Sequence, residues 1–287
     1  MKKLFSMSDL GLLSYYLGIE VKQSALGVSL CQSGYAAKIL EHSGMKGCNP
    51  CQTPMENRLK LSKKSEDPAV DATMYRSIVG SLRYLVNTRP DIAHAVGIVS
   101  RFMESPTTQH LTAVKHILRY VSGTLNFGCY YEKMGNLEPK LVGYSDSDLA
   151  GDVDDRRSTT GTVFFLGSSL ITWLSQKQKI VALSSCEAEY IAATTATCQG
   201  IWLARLIADL VKKEPEKFEL RIDNTSAISL CKNPVHHERS KHIDTRYHFV
   251  RECVEAGKME VQHVCSEEQC ADILTKPLGR IKFLEMR

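Results

Sequence analysis

The chain has 287 residues, 43% of them hydrophobic and 24% charged, with a formal net charge of +4. Those proportions fit a soluble globular protein with one large or two ordinary cores, and they exclude a membrane-spanning chain, since no segment has the long apolar run a span needs. The charge excess permits a nucleic-acid partner without arguing for one, because what matters is where the positive charge sits. The start, MKKLFSMSDLGLL, is broken by Ser6, Ser8 and Asp9 too early for a signal-peptide core. Ten irregularly spaced cysteines read as reduced thiols of an intracellular protein, in the cytoplasm or nucleus. Cys48 and Cys51 make one C-x-x-C, but zinc needs four ligands and no second pair follows.

In chain order, the first ~60 residues mix short apolar runs (LSYYLGIEV, GVSLC) with a helical stretch, YAAKILEHSG, that Gly44 can end. QTPMENRLKLSKKSEDPAVD is polar and reads as a linker. From Ala72 to Val121 the pattern is helical, with stripes of Ile78, Leu82 and Leu85, then Val96, Val99 and Met103, then Leu111, Val114, Ile117, Leu118 and Val121. Beyond Lys140, KLVGYSDSD, GTVFFLG and LITWLSQKQ predict three strands. A long helix is expected from about Ser185 to Lys212, opened by Ser184 or Ser185. FELRID and MEVQHV predict two further strands, NTSAISLCK and DTRYHFVRECVEAG two helices, and QCADILTKP a last helix stopped by Pro277. The order suggests a mixed sheet with helices packed on it.

Four acids fall where these elements begin or end: Asp146, Glu189, Asp223 and Asp272. Strand-end carboxylates pack poorly but are well placed to hold a hard cation such as Mg²⁺, and a pair of ions can clamp both sides of a phosphodiester displacement. Within the long helix, Ala193, Ala196, Gly200, Leu203, Ile207 and Leu210 form the stripe that should face the sheet, and Glu189 extends it. Glu187 points roughly 160° away at ~3.6 residues per turn and suits the helix dipole. Asp146 and Asp148 share a strand face, with Asp146 nearer the apolar run. Asp223 and Asp272 each have an ordinary alternative as helix caps. The most basic stretch, KNPVHHERSKHIDTRYHFVRE, suits phosphate contacts through Arg239, Lys241, Arg246 and the interleaved His237 and His242.

GYSDSDLAGDVDDRRSTTGTVFFLG, SQKQKIVALSSCEAEYIAA, DNTSAISL, HERSKHIDTRYHFVRE and ADILTKPL resemble, in order, the ribonuclease H domain of copia-type LTR retrotransposon Pol polyproteins. FSMSDLGLLSYYLGIEV, YRSIVGSLRYLVNTRPDIAHAVGIVSRFM and HLTAVKHILRYVSGT resemble the end of the reverse transcriptase just before it. The resemblance implies an α/β, ribonuclease H-like mixed five-stranded sheet with flanking helices, preceded by a mainly helical thumb and connection remnant. It divides the chain into partial reverse transcriptase at 1–60, a helical connection segment at 61–135, the ribonuclease H domain at 136–278 and a tail at 279–287.

It further implies cleavage of the RNA strand of an RNA–DNA hybrid with two Mg²⁺ or Mn²⁺ ions. Asp146, Glu189, Asp223 and Asp272 match the D-E-D-D ligand set, and the 2′-hydroxyl distinguishes RNA from DNA. The other expected partners are further Pol components. Leu149 stands where the family's Trp is typical. The family's Tyr-x-Asp-Asp polymerase hairpin is absent, so no DNA synthesis is expected of this chain alone. The alternative is a catalytically silent nucleic-acid-binding relic or co-opted module.

Overall fold

The computed structural model describes residues 11–133, 140–232 and 241–287, with the side chains of 241–247 also outside the description. Two sheets organise it. Near the start, β1 (Tyr15–Tyr16), β2 (Ile19–Gln23) and β3 (Gly27–Cys31) form an antiparallel meander, followed by α1 (Ser33–His42). Three helices come next: α2 (Ala72–Leu85), α3 (Ala93–Val99) and α4 (Thr108–Gly123). Asp71 caps α2 by accepting from Thr73 N at 2.8 Å. Short 3₁₀ turns on either side of Arg89 replace a continuous helix, because Pro90 lacks the amide the helix needs.

β4 (Gly128–Glu132) then returns to pair antiparallel with β3, so the leading sheet has the order β1-β2-β3-β4. No strand is expected there from the sequence; the leading part is mainly helical, as expected, with a four-stranded sheet added to it. Gly128 is required at this junction, since a Cβ would lie 2.0 Å from the Leu30 carbonyl oxygen.

The second sheet comprises β5 (Leu141–Ser147), β6 (Thr159–Leu166), β7 (Ser169–Lys177), β8 (Phe218–Ile222) and β9 (Met259–His263). β5, β6 and β7 are antiparallel neighbours, whereas β8 and β9 add in parallel to β5, giving β7-β6-β5-β8-β9. All five expected strands are present. Parallel additions need crossovers, supplied here by α5 (Ser185–Val211) before β8 and by α6 (Thr225–Lys232) and α7 (Lys241–Glu255) between β8 and β9.

Both faces of this sheet are covered. Phe164, Phe218, Leu220 and Ile222 pack with Tyr190, Ala193, Ala196 and Leu203 of α5. Gly200 lets α5 approach, for a Cβ there would meet the Phe218 ring at 2.3 Å. Val163 and the partly buried Tyr144, Phe165 and Trp173 face the other way and join the core of α2–α4. Residues 270–274 form a 3₁₀ turn rather than the expected helix, followed by Pro277 and then α8 (Arg280–Met286), which occupies part of the expected tail. The residue before a proline disfavours α geometry, which leaves too few positions for an α-helix. Phe283 of α8 is buried in the α2–α4 core, edge-on to Tyr120 at 5.6 Å.

Candidate metal centre

Three expected carboxylates converge at one end of the five-stranded sheet. Asp146 near the end of β5, Asp223 just after β8 and Asp272 in the 3₁₀ turn each offer an oxygen within 4.8 Å of the others'. Asp146 and Asp272 are buried, and Asp223 is half-buried at the mouth. Adjacent parallel β5 and β8 bring their ends together, and the close packing of β6 brings in the turn. Gly161 pairs directly with Asp146 across the β5–β6 ladder. A Cβ on Gly161 would meet Thr275 Cγ2 at 2.6 Å and the Ala271 carbonyl oxygen at 2.9 Å, so only glycine lets the turn lie this close.

Glu189 lies beside this group, in the first turns of α5. Its Oε1 accepts from Ser147 N at 3.1 Å, while its buried Oε2 has no hydrogen-bond partner. Burial, then the charges of Asp146 and Asp223, push its carboxyl up to about 10. Burial likewise raises Asp146 to about 6, although Lys276 opposes the shift. An unpaired buried carboxylate oxygen is costly, and one that neighbours other carboxylates is costlier still. Oxygen-only donors of this kind suit a hard divalent cation, so the residues present fit one.

Two ammonium groups reach the same oxygens. Lys276 Nζ lies 2.7 Å from Asp272 Oδ1, outside hydrogen-bonding geometry, and 3.7 Å from Asp146 Oδ2. Lys282 of α8 donates to Asp272 Oδ2 at 2.5 Å and to the Ser266 carbonyl oxygen at 2.8 Å. Thr275 Oγ1 donates to Asp146 Oδ2. Gln178 Nε2 donates to Ser147 Oγ, Thr160 Oγ1 and the Ala188 carbonyl, tying together β5, β6 and the start of α5. Thr275 and Lys276 stand inside the ADILTKP block, yet only their three-dimensional neighbours reveal what they touch. Lys282 carries no local signal at all.

The two competing acids have other employment. Asp148 accepts from Thr159 N and organises the loop after β5. Glu187 Oε2 accepts from Leu183 N at 2.8 Å while Ser184 Oγ accepts from Glu187 N, a reciprocal cap on α5. Glu187 is nonetheless buried, because Ala182, Ala188 and Ile191 cover that side of the helix start. At its other end the expected stripe runs out, with Leu210 74% exposed. Leu149 is half-exposed. His237 and Arg239 lie outside the described residues, and Lys241, His242 and Arg246 fall on α7 where side chains are not described. All ten cysteines are free, and no helix among the described residues is long and apolar enough to cross a membrane.

A family model described as reverse transcriptase (RNA-dependent DNA polymerase) matches residues 1–57. The chain is 44% identical over 279 residues to the retrovirus-related Pol polyprotein from transposon RE1 of Arabidopsis thaliana, covering 97% of this chain and 19% of that protein. It is also 44% identical over 292 residues to the Pol polyprotein from transposon TNT 1-94 of Nicotiana tabacum, covering 99% of this chain and 22% of that one. It thus spans about a fifth of the length of these curated relatives. Among solved structures, the foamy viral protease-reverse transcriptase dRH in complex with ds DNA is similar in fold, with a TM-score of 0.50 and 14% identity over 87% of this chain and 37% of that one. The mixed sheet with its two parallel additions is ribonuclease H-like. Over nearly its whole length the chain thus shows strong homology to a segment of copia-type retrotransposon Pol polyproteins.

Proposed function

We propose that the chain carries a ribonuclease H centre, an endoribonuclease that hydrolyses the RNA strand of an RNA–DNA hybrid. The observation that carries this reading is the convergence of Asp146, Asp223 and Asp272, with the unpaired Glu189 oxygen beside them. Asp146, Glu189, Asp223 and Asp272 would together hold two divalent ions, Mg²⁺ or Mn²⁺. Bound there, such ions supply a hydroxide-like nucleophile and stabilise the leaving 3′ oxygen.

The chain's own residues set the stage. Thr275 and the Ser147 amide each fix one oxygen of Asp146 and Glu189, leaving the other available. Asp223 borders the mouth, where a phosphodiester backbone can approach. Hydrogen bonds to a 2′-hydroxyl would select RNA at the cut. The basic segment bearing His237, Arg239, Lys241, His242 and Arg246 would follow the hybrid backbone. The reverse-transcriptase match over residues 1–57 supports other Pol components as partners. Ten free thiols suit an intracellular setting.

The test is a hybrid labelled on its RNA strand, incubated with the full chain and Mg²⁺ or Mn²⁺. Cleavage is expected, and Asp223→Asn should abolish it without lowering the melting temperature. An uncut hybrid beside a working control nuclease would refute the proposal.

A further inference from the structure

The carboxylate cluster comes with its own cations. Lys276 Nζ stands between Asp272 and Asp146, and Lys282 Nζ sits on the other Asp272 oxygen. Both ammonium groups are partly shielded, the side chains being 44% and 33% exposed. Between them they engage both oxygens of Asp272, so an ion held by that carboxylate at ~2.0–2.6 Å would meet an ammonium group there. An ammonium group within 2.5–2.7 Å of an oxygen would lie only a few ångströms from a divalent ion on that same oxygen, and like charges that close weaken each other's binding in a poorly solvated site.

We propose that Lys276 and Lys282 are built-in competitors for the divalent-cation site, and that ion binding requires both ammonium groups to withdraw. The inference rests on the metal-centre reading above and deepens it. Withdrawal is a side-chain event: a lysine stem has four rotatable carbons, and Phe283 keeps α8 anchored in the core while Lys282 swings away. Competition is reciprocal, so whatever holds the lysines in place weakens ion binding by the same factor. A nucleic-acid phosphate entering the site offers the displaced ammonium groups new oxygens. Substrate and ion would then assist each other's binding.

Isothermal titration with Mn²⁺ tests this on the full chain stripped of divalent ions. The Lys276→Met/Lys282→Met variant keeps the apolar stems and removes the charges. It should bind Mn²⁺ at least about tenfold more tightly than the parent, ~1.4 kcal/mol. Equal or weaker binding overturns the inference. Asp146→Asn separates the two levels of the argument. If it leaves Mn²⁺ binding unchanged, the ions are not held here and the functional reading falls. If it weakens binding while the lysine variant fails to strengthen it, only the competition falls. Should the double variant not fold, Lys282→Met alone is read by the same criterion.

Discussion

Truncating Phe283 to alanine probes the joint between the carboxylate end of the sheet and the α2–α4 layer. The ring is 3% exposed, stands edge-on to Tyr120, and shares a core with Ile273, Leu274 and Leu278 of the segment that carries Asp272. A buried phenylalanine removes ~150–250 Å² from water. At about 25 cal/mol per Å² that amounts to roughly 4–6 kcal/mol, and measured Phe→Ala losses run ~3–5 kcal/mol. For a chain this long each kcal/mol shifts Tm by about 2–4 °C, so a loss of ~3–5 kcal/mol in Phe283→Ala should lower Tm by roughly 6–20 °C. Phe283→Leu, which keeps most of the volume, should lose far less. Thermal melting followed by circular dichroism reads both. An alanine variant melting within about 2 °C of the parent would mean that α8 is an ornament on the surface and does not join the carboxylate end of the sheet to the α2–α4 layer.

Other expectations concern the supports of the site. Arg89 is fully buried, donating to Asp91 at 2.7 and 2.9 Å and to the Thr124 carbonyl at 2.9 Å. Arg89→Met strands the Asp91 charge and should cost ~3–5 kcal/mol in denaturant unfolding, with Asp91→Leu added in the same chain recovering much of the loss. Gly161→Ala forces a Cβ against Thr275 and Ala271. It should cut hybrid cleavage at least about tenfold, as ~1.4 kcal/mol of misplacement would, while Gly44→Ala, at an exposed helix end with open space, should not affect cleavage.

Asp152 yields a pH signature. Burial alone would raise its carboxyl, but bonds from Lys177 at 2.6 Å and from the Asp155 and Asp154 amides hold it far below the usual carboxylate range. Its folded value is depressed, so its stabilisation is present above the unfolded value near ~4 and is lost as pH falls below that. Asp152→Asn should therefore destabilise at pH 7, and the gap to the parent should shrink below pH ~4.

Much of this architecture is legible in local pattern. The short apolar runs in LVGYSDS and TTGTVFFL and the Ser184 cap of the long helix mark elements that fold as written. Helical phase alone separates Glu189 from Glu187, since both acids are buried and only their partners differ. What stayed hidden depends on distant partners. GCYYE becomes β4 only because GVSLC, about a hundred residues earlier, offers an open edge. Seven residues of α8 are too few to show a period, and its burial comes from Tyr120 and the α2–α4 core. The two lysines look like ordinary surface charges until the fold sets them against Asp272.

The most direct measurement compares an RNA–DNA hybrid with double-stranded DNA, every strand labelled, in the same Mn²⁺ buffer with the parent and Asp146→Asn. The account predicts that the parent cuts only the RNA strand of the hybrid and that Asp146→Asn slows this at least about a hundredfold, the scale of losing an electrostatic stabiliser. Cutting that persists in Asp146→Asn, or no cutting by the parent, would contradict it.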